Sequence, residues 1–462
     1  MKAMISSEVG AFFNHLLLHH KYLRAINDNH PTEVWTQLRD AAAQQPLHRP
    51  AQDPAAPIQL CRMAATAGGY TSFGLANAAA EERECLTALA RDLEPIQPYI
   101  GGDPVAPVGL VLSGATKDFC FGDPYEGWQH VHGAHNLLNA LHWPCAVLLD
   151  NTLEPRDLRE LQAVVLPEVQ CLSDEAAANL RAYVAHGGVI LALGEVGTHD
   201  LDGNERAKPV LDDLFGIRRT TGGGEGPATS GQDDLFGEAA RKDVALGNAV
   251  LQAETASLRG DGLPPRYMIA GGCLPVHAAE DAEALATVRY NTAPGGKRWS
   301  AQGLIRPEDQ SVTGVSILQR RHGRGRAVAC RHRAGQGYAE QPHRRTREVV
   351  RRLLADAVAP GFTTDAPAEV VVAPWRQGDR LAIHLLHTPA ALLRFNNGTV
   401  DRGDIYWPEE TPPLEGFTLR VDGAWNRARS LAHGTLAAER EGDALRVDVP
   451  KLKGHDVVVL ES

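Results

Sequence analysis

LQAVVLPEVQCLSDEAAANLRAYVAHGGVILALGEVGTHDLD, Leu161 to Asp202, is the stretch whose reading decides the fold. Ala163 to Leu166 is a short, valine-rich apolar run closed by Pro167, the pattern of a buried strand. Ser173 stands before Asp174, Glu175 and a run of alanines. That is an N-cap followed by acidic residues in the first turn, where the helix dipole favours negative charge. Leu180 and Val184 lie one turn apart, with Tyr183 beside them. Gly187-Gly188 stops the helix, because glycine takes the left-handed C-terminal position cheaply. Val189 to Leu193 is the next strand. Two strands joined by one helix within about thirty residues predict a right-handed parallel crossover. Such units build an open sheet with helices on both faces, and ligands gather at the carboxyl ends of its strands.

Outward from this unit, the alternation continues. Val108 to Ser113 and Ala146 to Asp150 read as strands, with Trp128 to Leu141 a helix between them and Lys117 to Gly127 a loop with aromatics. Lys208 to Gly216 reads as a helix. Residues 240 to 300 are harder to parse, with strands expected around Leu274 to Val276 and Ala286 to Tyr290. Gly314 to Leu318 and Ala327 to Cys330 read as strands joined by the basic turn Arg320 to Arg326, RRHGRGR, with solvated arginines. Arg344 to Val358 is an amphipathic helix that turns Val349, Val350, Leu353 and Leu354 inward. The expectation is a doubly wound, flavodoxin- or amidotransferase-like α/β domain over residues 105–362.

The flanks differ. Residues 1 to about 45 look helical, Gln44 to Pro57 is a proline-bearing loop, and Ala78 to Leu93 is a second helical stretch. Residues 1–104 are thus a mainly helical segment. From Glu369 onward short strands alternate with turns and no helix intervenes, which predicts a small all-β sandwich over residues 363–462.

Composition bounds the function. With 462 residues and 43% hydrophobic content, about three domains with sizeable cores are expected. A formal charge of -11 argues against a nucleic-acid partner. The apolar run Ala11 to Leu18 is too short to span a bilayer, and no membrane association is expected. Seven cysteines, scattered singly without C-x-x-C spacing, fit reduced thiols in a cytoplasmic chain. The sequon Asn397 to Thr399 is then simply a turn. His15 and His19 stand at i and i+4, but no acidic or cysteine ligand accompanies them, so no metal is expected. Thr221 to Gln232 is glycine-rich without the Lys-Ser/Thr pair of a phosphate cradle, and reads as an excursion. No cofactor is implied.

Four passages carry a family resemblance: VGLVLSG (Val108 to Gly114), VVLPEVQCLSDEAAANLRAYVAHGGVILALGE (Val164 to Glu195), KPVLDDLFGI (Lys208 to Ile217) and RRHGRGRAVAC (Arg320 to Cys330). Together they resemble the middle, trimerisation domain of family 42 β-galactosidases and related hydrolases, which is class I amidotransferase-like. The tail from AIHLLH to VPKLKGHDVVVLE looks like their C-terminal β-sandwich. In that family a (β/α)8 barrel holds the two catalytic carboxylates. A barrel needs about 250 residues, and only about 100 precede Val105. Those are expected to be at most a remnant of its closing elements, with Met63 to Tyr70 similar to the family's last strand region.

The resemblance implies a protein of carbohydrate metabolism and leaves three functions open. The first is a non-catalytic assembly or sugar-binding part. It would form a homo-oligomer, with a trimer among the options, or join a separate barrel-bearing chain. The second is an active glycoside hydrolase whose carboxylates are completed by a neighbour. The third is a cysteine-dependent amidotransferase-like enzyme. Against the third, Gly194 stands where the amidotransferase nucleophile would be, and Cys171 lies one element too early. No glutamate can be assigned as a catalytic acid or nucleophile. Aromatic faces and carboxylates suit sugars, so Asp118, Tyr125, Trp128, His132, Glu195 and His199 are the candidate carbohydrate contacts near the strand ends.

Overall fold

The computed structural model describes residues 6–8, 16–36, 55–73, 80–122, 124–150, 153–218, 250–269, 271–291, 310–388 and 412–462. His15, most of Gln44 to Pro57, Thr221 to Gln232 and the Asn397 to Thr399 sequon lie outside these residues. The chain is mixed α/β and divides into two compact units, 1–107 with 138–147 and 359–462, and 108–137 with 148–358.

The second unit is built on a nine-stranded mixed sheet. Its order is Arg266–Tyr267, Val250–Ala253, Glu283–Asn291, Gln310–His322, Gly325–Cys330, Val189–Leu193, Ala163–Pro167, Val108–Leu112 and Cys145–Leu149. Gly325–Cys330, Val189–Leu193, Ala163–Pro167 and Val108–Leu112 pair in parallel, and the strands from Gly325–Cys330 out to Arg266–Tyr267 pair antiparallel. The crossover expected from sequence is present. The Ser173 hydroxyl accepts from the Ala176 amide at 3.0 Å and opens the helix Asp174–Ala185. Gly187 ends it at φ +115°. Leu180 and Val184 are fully buried beside Val164, Leu166, Ile190 and Ala192 in one core. Each such side chain contributes roughly 1.5–3 kcal/mol by leaving water.

Several local readings change. Part of the stretch read as a loop after Val108–Leu112 is helical: Gly114–Phe119, opened by Ser113, whose hydroxyl accepts from the Thr116 amide. A serine cap outweighs the weak propensity of a glycine start. Around Leu274 to Val276 there is no continuous strand; isolated bridges at Cys273 and Val276 precede a two-residue strand, His277–Ala278. The basic turn is a tight antiparallel hairpin, with His322 opposite Gly325. Its arginines are not all solvated: Arg320 pairs with Asp281 at 2.5 Å and Arg326 with Asp356.

One close approach fixes two helices of this unit. A Cβ on Gly133, within Pro124–Ala140, would lie 1.8 Å from the Gly335 carbonyl oxygen and 2.8 Å from the Ala339 nitrogen. Both neighbours are backbone and cannot rotate aside. Gly133→Ala should therefore destabilise by about 2 kcal/mol through overpacking, although alanine is the better helix former by about 1 kcal/mol. Gly114→Ala, which meets nothing within 4 Å, should be near neutral. Urea midpoints of the two variants check this.

In the first unit, Ser6–Glu8, Glu33–Thr36 and Tyr70–Phe73 form a parallel three-stranded sheet. The helices Leu16–Ile26 and Ala55–Thr66 lie between them in sequence. Glu33 was expected to begin a helical stretch. The β-branched and aromatic Val34, Trp35 and Thr36 instead sit in a strand paired on both sides, where such side chains fit best. The same unit holds a four-stranded sheet (Phe362–Thr364, Leu414–Asp422, Ala444–Leu452, Ala438–Glu441) and a six-stranded one centred on Arg380–His387 and His455–Glu461. Ile383, Val458, Leu419 and Val447, from both sheets, are fully buried in one shared core.

Candidate functional site at the carboxyl ends of the parallel strands

Four parallel strands end on one edge of the large sheet, and a polar side chain follows each end within two residues. Val108–Leu112 is followed by Ser113, whose hydroxyl donates to Asp150 at 2.5 Å. Ala163–Pro167 is followed by Glu168, Val189–Leu193 by Gly194 and Glu195, and Gly325–Cys330 by Arg331, His332 and Arg333.

Glu168 is the centre of this cluster. Its side chain has no solvent exposure. One carboxylate oxygen accepts from Gln170 Nε2 at 3.0 Å and faces Arg333 Nη2 at 3.1 Å; the other accepts from the Glu195 amide at 2.9 Å. Its backbone is left-handed, φ +51°, a conformation that costs a non-glycine residue of order 1 kcal/mol or more and persists only where the surroundings hold it. Burial pushes the carboxyl up, Arg333 pulls it down, and the nearby Glu195 charge pushes it up again. Arg331, 3% exposed, donates to the carbonyls of Gly194 (2.8 Å) and Leu274 (3.0 Å) and reaches Glu195 Oε1 at 3.3 Å. His130 is buried and stacks on Phe121 with ring centroids 5.3 Å apart. Desolvation, aided by Arg333, takes its pKa to about 3.

Gly194 turns left-handed, φ +95°, at the strand end. A Cβ there would lie 1.7 Å from Glu168 Oε2. The position therefore has no room for a nucleophilic side chain; the Glu168 carboxylate occupies the space. Covalent acyl transfer from this turn has no group to perform it. Cys171 is fully buried, and its backbone forms a bridge with His199. The His199 Nδ1 is engaged by the Thr198 hydroxyl at 2.8 Å. Among the described residues no group of three or more His, Cys, Asp or Glu could hold a metal ion.

The six candidate sugar contacts are dispersed. Glu195, half-buried, belongs to the cluster around Glu168; His199, also half-buried, joins the strap after Glu168 through backbone hydrogen bonds with Gln170 and Leu172. Asp118 is exposed on Gly114–Phe119 and pairs with Lys117. Trp128 is half-buried and His132 fully buried on Pro124–Ala140; the Tyr125 side chain lies outside the described residues. Glu168, Arg331 and Arg333 escaped the sequence reading. The available signal was position alone: each lies within three residues of the end of a recognisable strand.

No helix among the described residues is long and apolar enough to cross a membrane. No family model matches the sequence, and no curated protein does. Solved structures do match. α-L-fucosidase isoenzyme 2 from Paenibacillus thiaminolyticus superposes with a TM-score of 0.70 at 16% identity, over 97% of this chain and 63% of its own. The β-galactosidase of Bacillus circulans sp. alkalophilus gives 0.61 at 15% identity, over 99% and 60%. A catalytic mutant of a family 42 β-galactosidase from G. stearothermophilus gives 0.60 at 10%, again over 99% and 60%. Nearly the whole of this chain thus shares its fold with family 42 β-galactosidases and a bacterial fucosidase, while spanning about three-fifths of their length.

Proposed function

We propose that this chain works in carbohydrate metabolism as an assembly or sugar-binding part of a glycoside-hydrolase-like system. It supplies the amidotransferase-like middle domain and the C-terminal β-sandwich rather than the cutting site. The observation that carries the reading is the fold match along 97–99% of the chain to enzymes named for cleaving galactosides and fucosides. The cluster at the sheet edge supports it. A glycosidase needs two carboxyls across a gap, one to protonate and one to attack or to activate water. Glu168 is instead buried and held by three donors, and Glu195 is engaged by Arg331. These acids shape a polar edge and are not poised for acid–base work. Exposed or half-exposed Asp118, Trp128, Glu195 and His199 are its proposed sugar contacts, and the working form is an oligomer or a complex with a barrel-bearing chain.

Isothermal titration with galactose, fucose and short oligosaccharides should show binding at about 1 mM or tighter. Trp128→Ala should weaken it by about fivefold, through loss of an aromatic face. Nitrophenyl β-galactoside and α-L-fucoside should not be turned over. Steady hydrolysis by the purified chain, or the absence of any sugar binding together with a clean monomer in light scattering, would reverse the proposal.

A further inference from the structure

Cys120 and Cys171, 51 positions apart in sequence, bring their sulfurs to 3.4 Å. Cys120 caps the carboxyl end of Gly114–Phe119 and is half-exposed, beside Phe119, which is 59% exposed. Cys171 is fully buried on the strap that follows Ala163–Pro167. The two are tied through one helical turn: the Cys120 amide donates to the Thr116 carbonyl, and the Cys171 amide donates to the Thr116 hydroxyl at 2.8 Å. Cys61, Cys145, Cys273 and Cys330 are all buried, so this pair joins a solvent-reachable sulfur to a second one in contact with it.

We propose that Cys120 and Cys171 are a reversible modification site, a dithiol that a small hydroperoxide converts into an intramolecular disulfide. The pair shares one S–H···S hydrogen bond. Accepting it lowers the Cys171 thiol, and donating it raises Cys120. When the pair loses a proton, the remaining one lies between the sulfurs, and Cys120 is the sulfur an oxidant meets. As the Cys120 sulfur attacks one peroxide oxygen, its proton passes along the shared hydrogen bond to the Cys171 thiolate, the O–O bond breaks, and hydroxide leaves, giving a sulfenic acid on Cys120. The Cys171 sulfur then attacks Cys120, the S–O bond breaks, and water leaves with the Cys171 proton. Two thiols lose two electrons and one peroxide becomes two waters. The new bond fastens the helix bearing Asp118 to the strap between Glu168 and Ser173. A thiol reductant reopens it by exchange.

The full chain treated with hydrogen peroxide, alkylated and mapped by mass spectrometry decides the matter. Two of the seven cysteines should lose reactivity together, in a joined peptide containing Cys120 and Cys171, and dithiothreitol should restore both. Closing so long a loop should raise the thermal midpoint by about 5–10 °C. In C171S the reaction should stop at a dimedone-trappable sulfenic acid on Cys120. In C120S the buried Cys171 should stay unmodified. Overoxidation of Cys120 in the unsubstituted chain with no joined peptide would overturn the proposal, as would a joined peptide between other cysteines. Should C171S fail to fold by circular dichroism, C120S still decides: a peroxide-dependent rise in its midpoint refutes the pairing.

Discussion

Between pH 7 and pH 5 the protein is expected to lose most of its folding free energy. Among the described residues, five of the buried histidines are pushed furthest down by desolvation and held neutral. His20 and His130 are pushed down to about 3 and His332 and His384 to about 4, while His455 lies well below its ordinary value. Neighbouring cations add to the effect: Arg24 beside His20, Arg333 near His130 and Arg62 near His455. In the unfolded chain each histidine binds its proton near pH 6.5, and in the folded chain only well below that. The unfolded state therefore binds more protons throughout that window, and stability falls as pH falls. Each histidine costs about 2 kcal/mol at pH 5.

The two units should respond unequally. His20, His384 and His455 belong to the first, so about 6 kcal/mol is lost there. The second holds His130 and His332, and its raised Glu168 works in the opposite sense, since a carboxyl that protonates more readily when folded gains stability on acidification. The His384–His455 pair gives the first unit its sharpest constraint. His384 Nε2 donates to the Tyr99 carbonyl at 2.9 Å, which leaves Nδ1 to accept from His455 Nε2 at 3.2 Å. Protonating His384 sets two donors against each other. Calorimetry at half-unit pH steps should show the first transition moving down steeply below pH 6.5, ahead of the second. Midpoints flat from pH 7 to 5 would contradict the burial of these rings.

Removing the Glu168 side chain should cost about 3–5 kcal/mol, the usual penalty for deleting one partner of a buried ion pair. Glu168→Ala leaves the Glu195 amide, the Gln170 amide and Arg333 without their acceptor. It also retains the left-handed backbone without the hydrogen bonds that held it. Glu168→Gln keeps one acceptor oxygen but presents an amide NH₂ to donors, and should cost less than alanine does. Gly194→Ala should be severe alone and milder in a Glu168→Gly background, because its added methyl collides with that carboxylate. Urea unfolding of the single and double variants measures the coupling. Additive effects would mean that the two strand-end turns do not share the space the structure gives them.

The local alphabet of this chain was readable in advance where a single rule dominated. Ser173 with two acids and a closing glycine pair specified a helix between two apolar strands, and the Glu369-to-end pattern of short strands specified a β-rich tail. Readings went astray where pairing partners distant in sequence overrode local preference. Val34 to Thr36 became a strand because Ser6–Glu8 and Tyr70–Phe73 flank it. The hairpin arginines found acids at Asp281 and Asp356.

By itself, then, the sequence determined the βαβ unit, the strand-rich tail and the absence of a nucleophile at Gly194, because each depends on caps, turns and apolar runs that are local in the chain. Only the tertiary structure decided that Glu168, Glu195, Arg331 and Arg333 meet, and that Cys120 touches Cys171. Parallel pairing brings the carboxyl ends of strands far apart in sequence to one edge, and that registry is set by the buried faces of the sheet rather than by the polar residues it gathers.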